Sequence, residues 1–220
     1  MNSNQKTAKI VGILFILALA SSMMSGVFLE SINSPDYLDA VSTNEIQMFI
    51  GVLLLATLTA SVVSIPIVMF PILKRYNESL ALGYVGARIF EGFSDAVMAV
   101  SMLLLVILSR EFVIAESPAT HFQTSGALIL GLYYWISVLE NIPYCLGALM
   151  FSYLLYQYKL VPRWLAAWGL IGATLLVTRV PLSMFVFDPL STALLAIPII
   201  LNEMVLAVWL IVKGFNLSEE

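Results

Sequence analysis

The sequence predicts an all-α protein, an integral membrane bundle of six transmembrane helices. It is read as a single transmembrane domain over residues 1–220, with both termini cytoplasmic. Three observations predict this. The chain is 60% hydrophobic and only 11% charged, whereas a soluble domain carries about 25% charged residues. Its mean hydropathy is +0.97. Six separate stretches reach the length of about 20 mainly apolar residues that crossing a bilayer requires. The lysines and arginines between those stretches fall almost entirely on one side when the chain is threaded back and forth.

Span 1 covers residues 8–29 and follows Lys6 and Lys9. Its basic start, apolar run and Ala18-Leu19-Ala20 are the features of a cleavable leader. The run continues to Leu29, however, past the roughly 7–15 residues of a leader's apolar core, so it is read as an uncleaved first helix. The next loop holds Glu30, Asp36, Asp39 and Glu45. Within it Ser34-Pro35-Asp36 can start a short helix, with Ser as cap and Pro in the first turn. Ser42 and Glu45 have capping-box spacing ahead of span 2, residues 46–73.

Lys74 and Arg75 lead into span 3, residues 80–108. Arg110, Glu111 and Glu116 follow it, and His121, the one histidine, is read as a solvated loop residue before span 4, residues 125–156. Lys159 and Arg163 connect to span 5, residues 164–187; Asp188 precedes span 6, residues 192–212; Lys213 follows. Tyr153, Tyr156, Tyr158, Trp164 and Trp168 gather where spans 4 and 5 meet, and such amphipathic rings suit the headgroup level. Trp209 with a snorkelling Lys213 reads the same way at the end of span 6. Asn77-Glu78-Ser79 and Asn216-Leu217-Ser218 have the glycosylation spacing but fall on the cytoplasmic side, so they are expected to be silent. Pro66 with Met69-Phe70 in span 2, and Pro181 with Met184-Phe185 in span 5, leave an inverted repeat of three plus three helices open beside coincidence.

Ionisable residues inside the spans carry the functional reading, because charge at membrane depth costs at least a few kcal/mol per residue. Arg88, Glu91 and Asp95 are spaced i, i+3, i+7 and share one face of span 3. Glu140-Asn141 precedes Pro143 in span 4, and Asn202-Glu203 follows Pro198 in span 6; each proline removes a backbone N–H. Arg179 lies in span 5. At about 1.5 Å per residue, Glu91 and Glu203 fall near the middle of a core about 30 Å thick, and Arg179 in its outer half. Arg88 can pair with Glu91, and Arg179 with another carboxylate. Two arginines against four carboxylates leave at least one carboxylate without a counter-charge; desolvation favours its protonated form, which makes it a proton-carrier candidate. A structural Arg88–Glu91 ion pair and a merely hydrated Asp95 are the plain alternatives.

Other chemistries find little support. The acidic balance, net charge −4 with pI near 5.0, argues against nucleic acid, which needs a basic face. The lone Cys145 excludes an intrachain disulfide and reads as a small buried apolar residue. No ligand spacing supports a metal site, and no cofactor is expected. No catalytic residue is assigned, and the balance is against an enzyme.

Four stretches carry a family resemblance. They are Tyr37-Leu38 with Asn44-Glu45, Ala87-Arg88-Ile89-Phe90-Glu91, Leu154-Leu155-Tyr156 with Leu160-Val161-Pro162-Arg163-Trp164-Leu165, and Glu203 with Ala207-Val208-Trp209-Leu210-Ile211-Val212-Lys213-Gly214. Together they resemble the membrane family known as Domain of Unknown Function 4386. The resemblance implies a six-helix membrane protein of prokaryotes, supplies no activity, and sets Arg88 and Glu203 inside family-like motifs.

The expectation is therefore a multi-pass protein of the prokaryotic cytoplasmic membrane that moves a small solute or ion, coupled to protons, through a polar centre. On this reading Glu91 and Glu203 exchange protons or bind a cationic group, Arg88 sets their pKa or anchors an anionic group, and the prolines at 66, 143, 181 and 198 permit bending. Two alternatives stand beside it. One is a sensor or accessory subunit whose charges meet a membrane-protein partner or a second copy of the chain. The other is an intramembrane enzyme acting on a lipid.

Overall fold

A computed structural model describes residues 3–115, 120–185 and 194–216. Glu116 and Asp188, the expected end of span 5 at Phe187, the expected start of span 6 at Thr192, and Leu217-Ser218 of the second sequon lie outside the described residues.

The described residues form helices and turns, with no strand among them. The elements are α1 (Ser3–Phe28), a 3-10 turn (Glu30–Asn33), α2 (Tyr37–Thr43), α3 (Glu45–Leu73), α4 (Glu78–Ile114), α5 (Thr120–Leu139), α6 (Asn141–Gln157), α7 (Arg163–Val177), α8 (Arg179–Phe185), a second 3-10 turn (Leu194–Ala196) and α9 (Ile197–Val212). They build six spans long and apolar enough to cross a membrane. Spans 1 to 3 are α1, α3 and α4. Span 4 is α5 with α6, span 5 is α7 with α8, and span 6 is α9 with the turn before it.

The spans form a closed ring in chain order. Each packs on the next, and α9 returns to pack on α1. Helices in lipid gain nothing from merely hiding apolar surface, so close backbone approach matters more. Two glycines supply it. A Cβ on Gly12 would stand 2.7 Å from the Ala207 carbonyl oxygen of α9, and one on Gly172 of α7 would stand 3.0 Å from the Ile199 Cα.

One end of the ring is basic, carrying Lys74, Arg75, Lys159, Arg163 and Lys213. Its interior is filled by apolar side chains, with Tyr84 stacked on Phe151 at 4.9 Å. Here Asn77 caps α4, its side chain accepting from the Leu80 N–H at 3.0 Å. The Tyr158 hydroxyl donates to the Tyr76 carbonyl at 3.0 Å, and Asn216 N–H to the Leu160 carbonyl at 2.8 Å. Trp209 is half-buried against this core rather than a free interfacial anchor. Trp164, Tyr153, Tyr156 and Tyr158 are exposed around its rim.

The opposite end is acidic. At about 1.5 Å per residue, α4 is about 54 Å long, well beyond a core of about 30 Å. Its far turns therefore need another partner. Leu38 and Val41 of α2 are buried against α4, Ser109 donates to the Leu38 carbonyl, and Arg110 pairs with Glu45. Partial burial raises the Tyr37 hydroxyl above its ordinary 10.0; it donates to the Gln123 carbonyl at 3.0 Å.

Four local expectations are corrected. The short outer helix starts at Tyr37, after Ser34 and Pro35, and Asp36 makes no side-chain cap. The Ser42–Glu45 capping box does not form. The short helix runs on through Ser42 and Thr43, Asn44 is the junction, its amide donates back to the Ala40 carbonyl at 2.8 Å, and Glu45 turns to Arg110. His121 is exposed as expected, but on the first turn of α5, which begins five residues before the expected start of span 4. The two proline-bearing spans also differ. Span 2 runs through Pro66 as one helix, whereas span 5 breaks one turn before Pro181, between Val177 and Arg179.

Candidate functional site

Spans 4 and 5 are both interrupted at the depth where the charges lie. Pro143 has no N–H for the carbonyl one turn back, so the helix is loosened at Glu140, whose own N–H still reaches the Ile136 carbonyl at 2.9 Å. The Asn141 amide bridges the gap, donating to the Ser137 carbonyl at 2.9 Å and the Val138 carbonyl at 2.8 Å. In span 5 the Thr178 hydroxyl does similar work, donating to the Leu175 carbonyl at 2.6 Å, and Arg179 follows the break. Irregular backbone at membrane depth is tolerated where it is buried in protein or lines a cavity.

It lines a cavity here. A space of about 180 Å³ lies inside the ring, bounded by residues of all six spans. Arg88, Glu91, Asp95, Glu140, Asn141, Tyr144 and Glu203 line it, together with mostly apolar walls from α1, α3, α7 and α9. It reaches the surface between α1 and α9, where Ser22 and Ile200 are exposed.

The charges divide into two groups. The first is centred on Arg88, which is 2% exposed. Its Nη1 donates to Glu91 at 2.8 Å and 3.0 Å, reaching both carboxylate oxygens, and its Nη2 donates to Glu203 Oε1 at 3.3 Å. The guanidinium carbon lies 5.0 Å from the Tyr144 ring, 5.8 Å from Tyr84 and 6.0 Å from Phe15. Such ring faces favour a desolvated cation. The expected Arg88–Glu91 pair is present, and it ties span 3 to span 6 through Glu203.

The second group is Asp95 with Glu140. The carboxyls come within hydrogen-bonding reach of each other. Asp95 Oδ2 and Glu140 Oε2 are buried and find no donor among the described residues. Asp95 is 3% exposed, so it is not the hydrated vestibule residue that the sequence left open. Around the pair stand Glu91 on α4, Tyr133 on α5, Asn141 and Tyr144 on α6, and, at longer electrostatic range, Arg88 and Arg179. Arg179 forms no ion pair with a carboxylate of the described residues, and its Nε has no hydrogen-bond partner among them.

The expected site residues therefore sort themselves. Arg88, Glu91, Asp95, Glu140 and Glu203 meet at one cavity. Asn141 borders it, but its amide serves the helix break. Asn202 turns away and clamps α9 to α7, donating to the Leu165 carbonyl at 2.8 Å over Gly169. Arg179 stands beyond the cavity lining. Sequence reasoning missed Tyr144 and Tyr84, although each lies four residues from a charged group, Glu140 and Arg88 respectively, and so shares its helix face. Nothing in the sequence marks Phe15. Cys145 is buried among Ala148, Ala173, Leu176 and Ile199, as expected of a small apolar residue. No cluster among the described residues could hold a metal ion.

Six apolar spans around a charged, partly hollow centre define a multi-pass helical membrane protein. The chain belongs to the family described as Domain of unknown function (DUF4386), whose sequence model matches residues 10–214. No curated protein and no solved structure matches it.

Proposed function

We propose that the protein moves a small solute or ion across the membrane in exchange for protons, and that Asp95 and Glu140 are the exchanging groups. One observation carries this reading. Two carboxyls face each other at a proline-loosened helix turn, beside a cavity, without a cation in ion-pair contact among the described residues. Two such groups cannot both stay ionised at close range unless a cation joins them. Either a shared proton or a bound cation satisfies the pair, and one can replace the other.

The assignment differs from that made on the sequence, where Glu91 and Glu203 were the carriers. Both accept hydrogen bonds from Arg88 and share its positive charge. Helical turns loosened by a proline within spans 4 and 5 supply what such a site needs, since a helix can bend there. The proposal places the basic end and both termini in the cytoplasm, on the lysine and arginine asymmetry, and the protein in a prokaryotic cytoplasmic membrane.

The test is proton flux. Protein reconstituted into liposomes with an internal pH-sensitive dye should dissipate an imposed pH gradient. Asp95→Asn and Glu140→Gln should each reduce the rate to that of empty liposomes. Wild-type liposomes as tight as empty ones, with a panel of small cations and anions supplied outside, would contradict the proposal.

A further inference from the structure

The shape and lining of the cavity narrow the solute. Drug-sized ligands occupy pockets of about 300–1,000 Å³, so about 180 Å³ takes something smaller. A cavity of about 150 Å³ is known to accept a benzene-sized molecule. Most of the wall is apolar: Ala18, Leu58, Val62, Leu176 and Ile199 face it. A strongly hydrated inorganic ion gains nothing from such a wall, and the described residues offer no metal-binding cluster. Asp95 and Glu140 also line the cavity, and their Oδ2 and Oε2 are buried acceptors without donors among the described residues. An anionic solute would meet those acceptors, while Arg88, the cation that lines the cavity, is already held by Glu91 and Glu203.

We propose that the cavity binds a small primary amine in its ammonium form, with an apolar body of about benzene size and its –NH3+ between Asp95 and Glu140. This rests on the exchange reading above and names its solute. The ammonium supplies three donors, enough for both orphaned oxygens, and the body lies against the apolar wall. The exchange balances. The pair releases the proton it shares as the ammonium arrives, one cation for one, with no bond made or broken in the amine. Tyr144, whose ring already faces the Arg88 guanidinium, borders the same space.

The test uses the full-length protein in detergent with tritiated benzylamine as the probe. Saturable binding is expected. Unlabelled benzylamine and cyclohexylmethylamine should compete, whereas benzyl alcohol (no charge), benzoate (wrong charge) and sodium ion (no body) should not. Asp95→Asn and Glu140→Gln should each weaken binding on the order of tenfold or more, as loss of a hydrogen bond to a charged group implies. Ser22→Trp, at the exposed rim of the cavity with both carboxyls left in place, should slow association without unfolding the protein. Two results would overturn the inference: no saturable binding, or binding that benzyl alcohol displaces equally well and that all three variants leave unchanged. The flux assay separates this from the reading beneath it. Proton flux that needs Asp95 but no amine binding removes the amine alone. Amine binding at the pair without flux keeps the site and removes transport.

Discussion

Two groups of buried charge occupy the same cavity, and they are built differently. Arg88, Glu91 and Glu203 form a compact triad on two unbroken helices, walled by Phe15, Tyr84 and Tyr144. Asp95 and Glu140 form a pair without a cation in ion-pair contact among the described residues, and one member sits where Pro143 loosens its helix. The first group holds one cation between its two carboxylates and ties span 3 to span 6. The second has no such cation in ion-pair contact among the described residues, and both of its members line the cavity. Desolvating an ion pair offsets most of the attraction within it, so the triad is weak evidence for extra stability; removing one partner, in contrast, exposes the full desolvation penalty of the others. A carboxyl pair without a counter-ion is a standing liability, and that asks for a functional explanation.

Substitutions should break this contrast in a definite order. Arg88→Met leaves Glu91 and Glu203 buried without a partner, and about 3–5 kcal/mol of stability should be lost, read as a lowered melting temperature in detergent. Arg88→Met combined with Glu91→Gln and Glu203→Gln should recover much of that loss, which identifies the triad as a coupled unit. The next effect falls on the scaffold that brings the two groups together. Asn202→Leu removes the clamp to the Leu165 carbonyl and should cost about 1–3 kcal/mol, measured the same way. Asp95→Asn and Glu140→Gln lie on the other side of the comparison: each removes a buried charge without a partner, so melting temperature should hold or rise while proton flux disappears. Loss of both stability and flux would show that the pair is structural. The smallest effect belongs to the exposed Arg110–Glu45 pair beyond the spans, where Arg110→Ala should cost less than about 1 kcal/mol and leave flux unchanged.

How much of this was legible in the sequence depended on whether the determinant was local. The six spans follow from apolar run lengths, and the common face of Arg88, Glu91 and Asp95 follows from helical spacing. The prolines at 143 and 181 announced trouble in spans 4 and 5. They could not say that both helices would divide there while span 2 ran through Pro66, because that depends on what neighbouring helices and side chains do with the freed carbonyls. The choice of Glu203 as second partner of Arg88 was equally hidden. It is fixed by the register of α9 against α4 across the ring, and no short-range pattern encodes that register. Ser42–Glu45 had the right spacing for a cap, but the preceding helix and Arg110 claimed those residues first.

Transport requires the polar centre to communicate with both faces of the membrane, and cysteine accessibility reads this out. In a Cys145→Ala background, Leu58→Cys stands on the acidic side of the cavity and Ile65→Cys on the basic side, both on α3 and both facing the space. A membrane-impermeant thiol reagent should label position 58 from the acidic face. It should label position 65 from the basic face when a proton gradient is imposed across proteoliposomes, and more slowly when Asp95→Asn is added. Labelling at 58 from one face, with position 65 silent from the basic face under every gradient, would make the centre a closed-ended pocket and contradict the account.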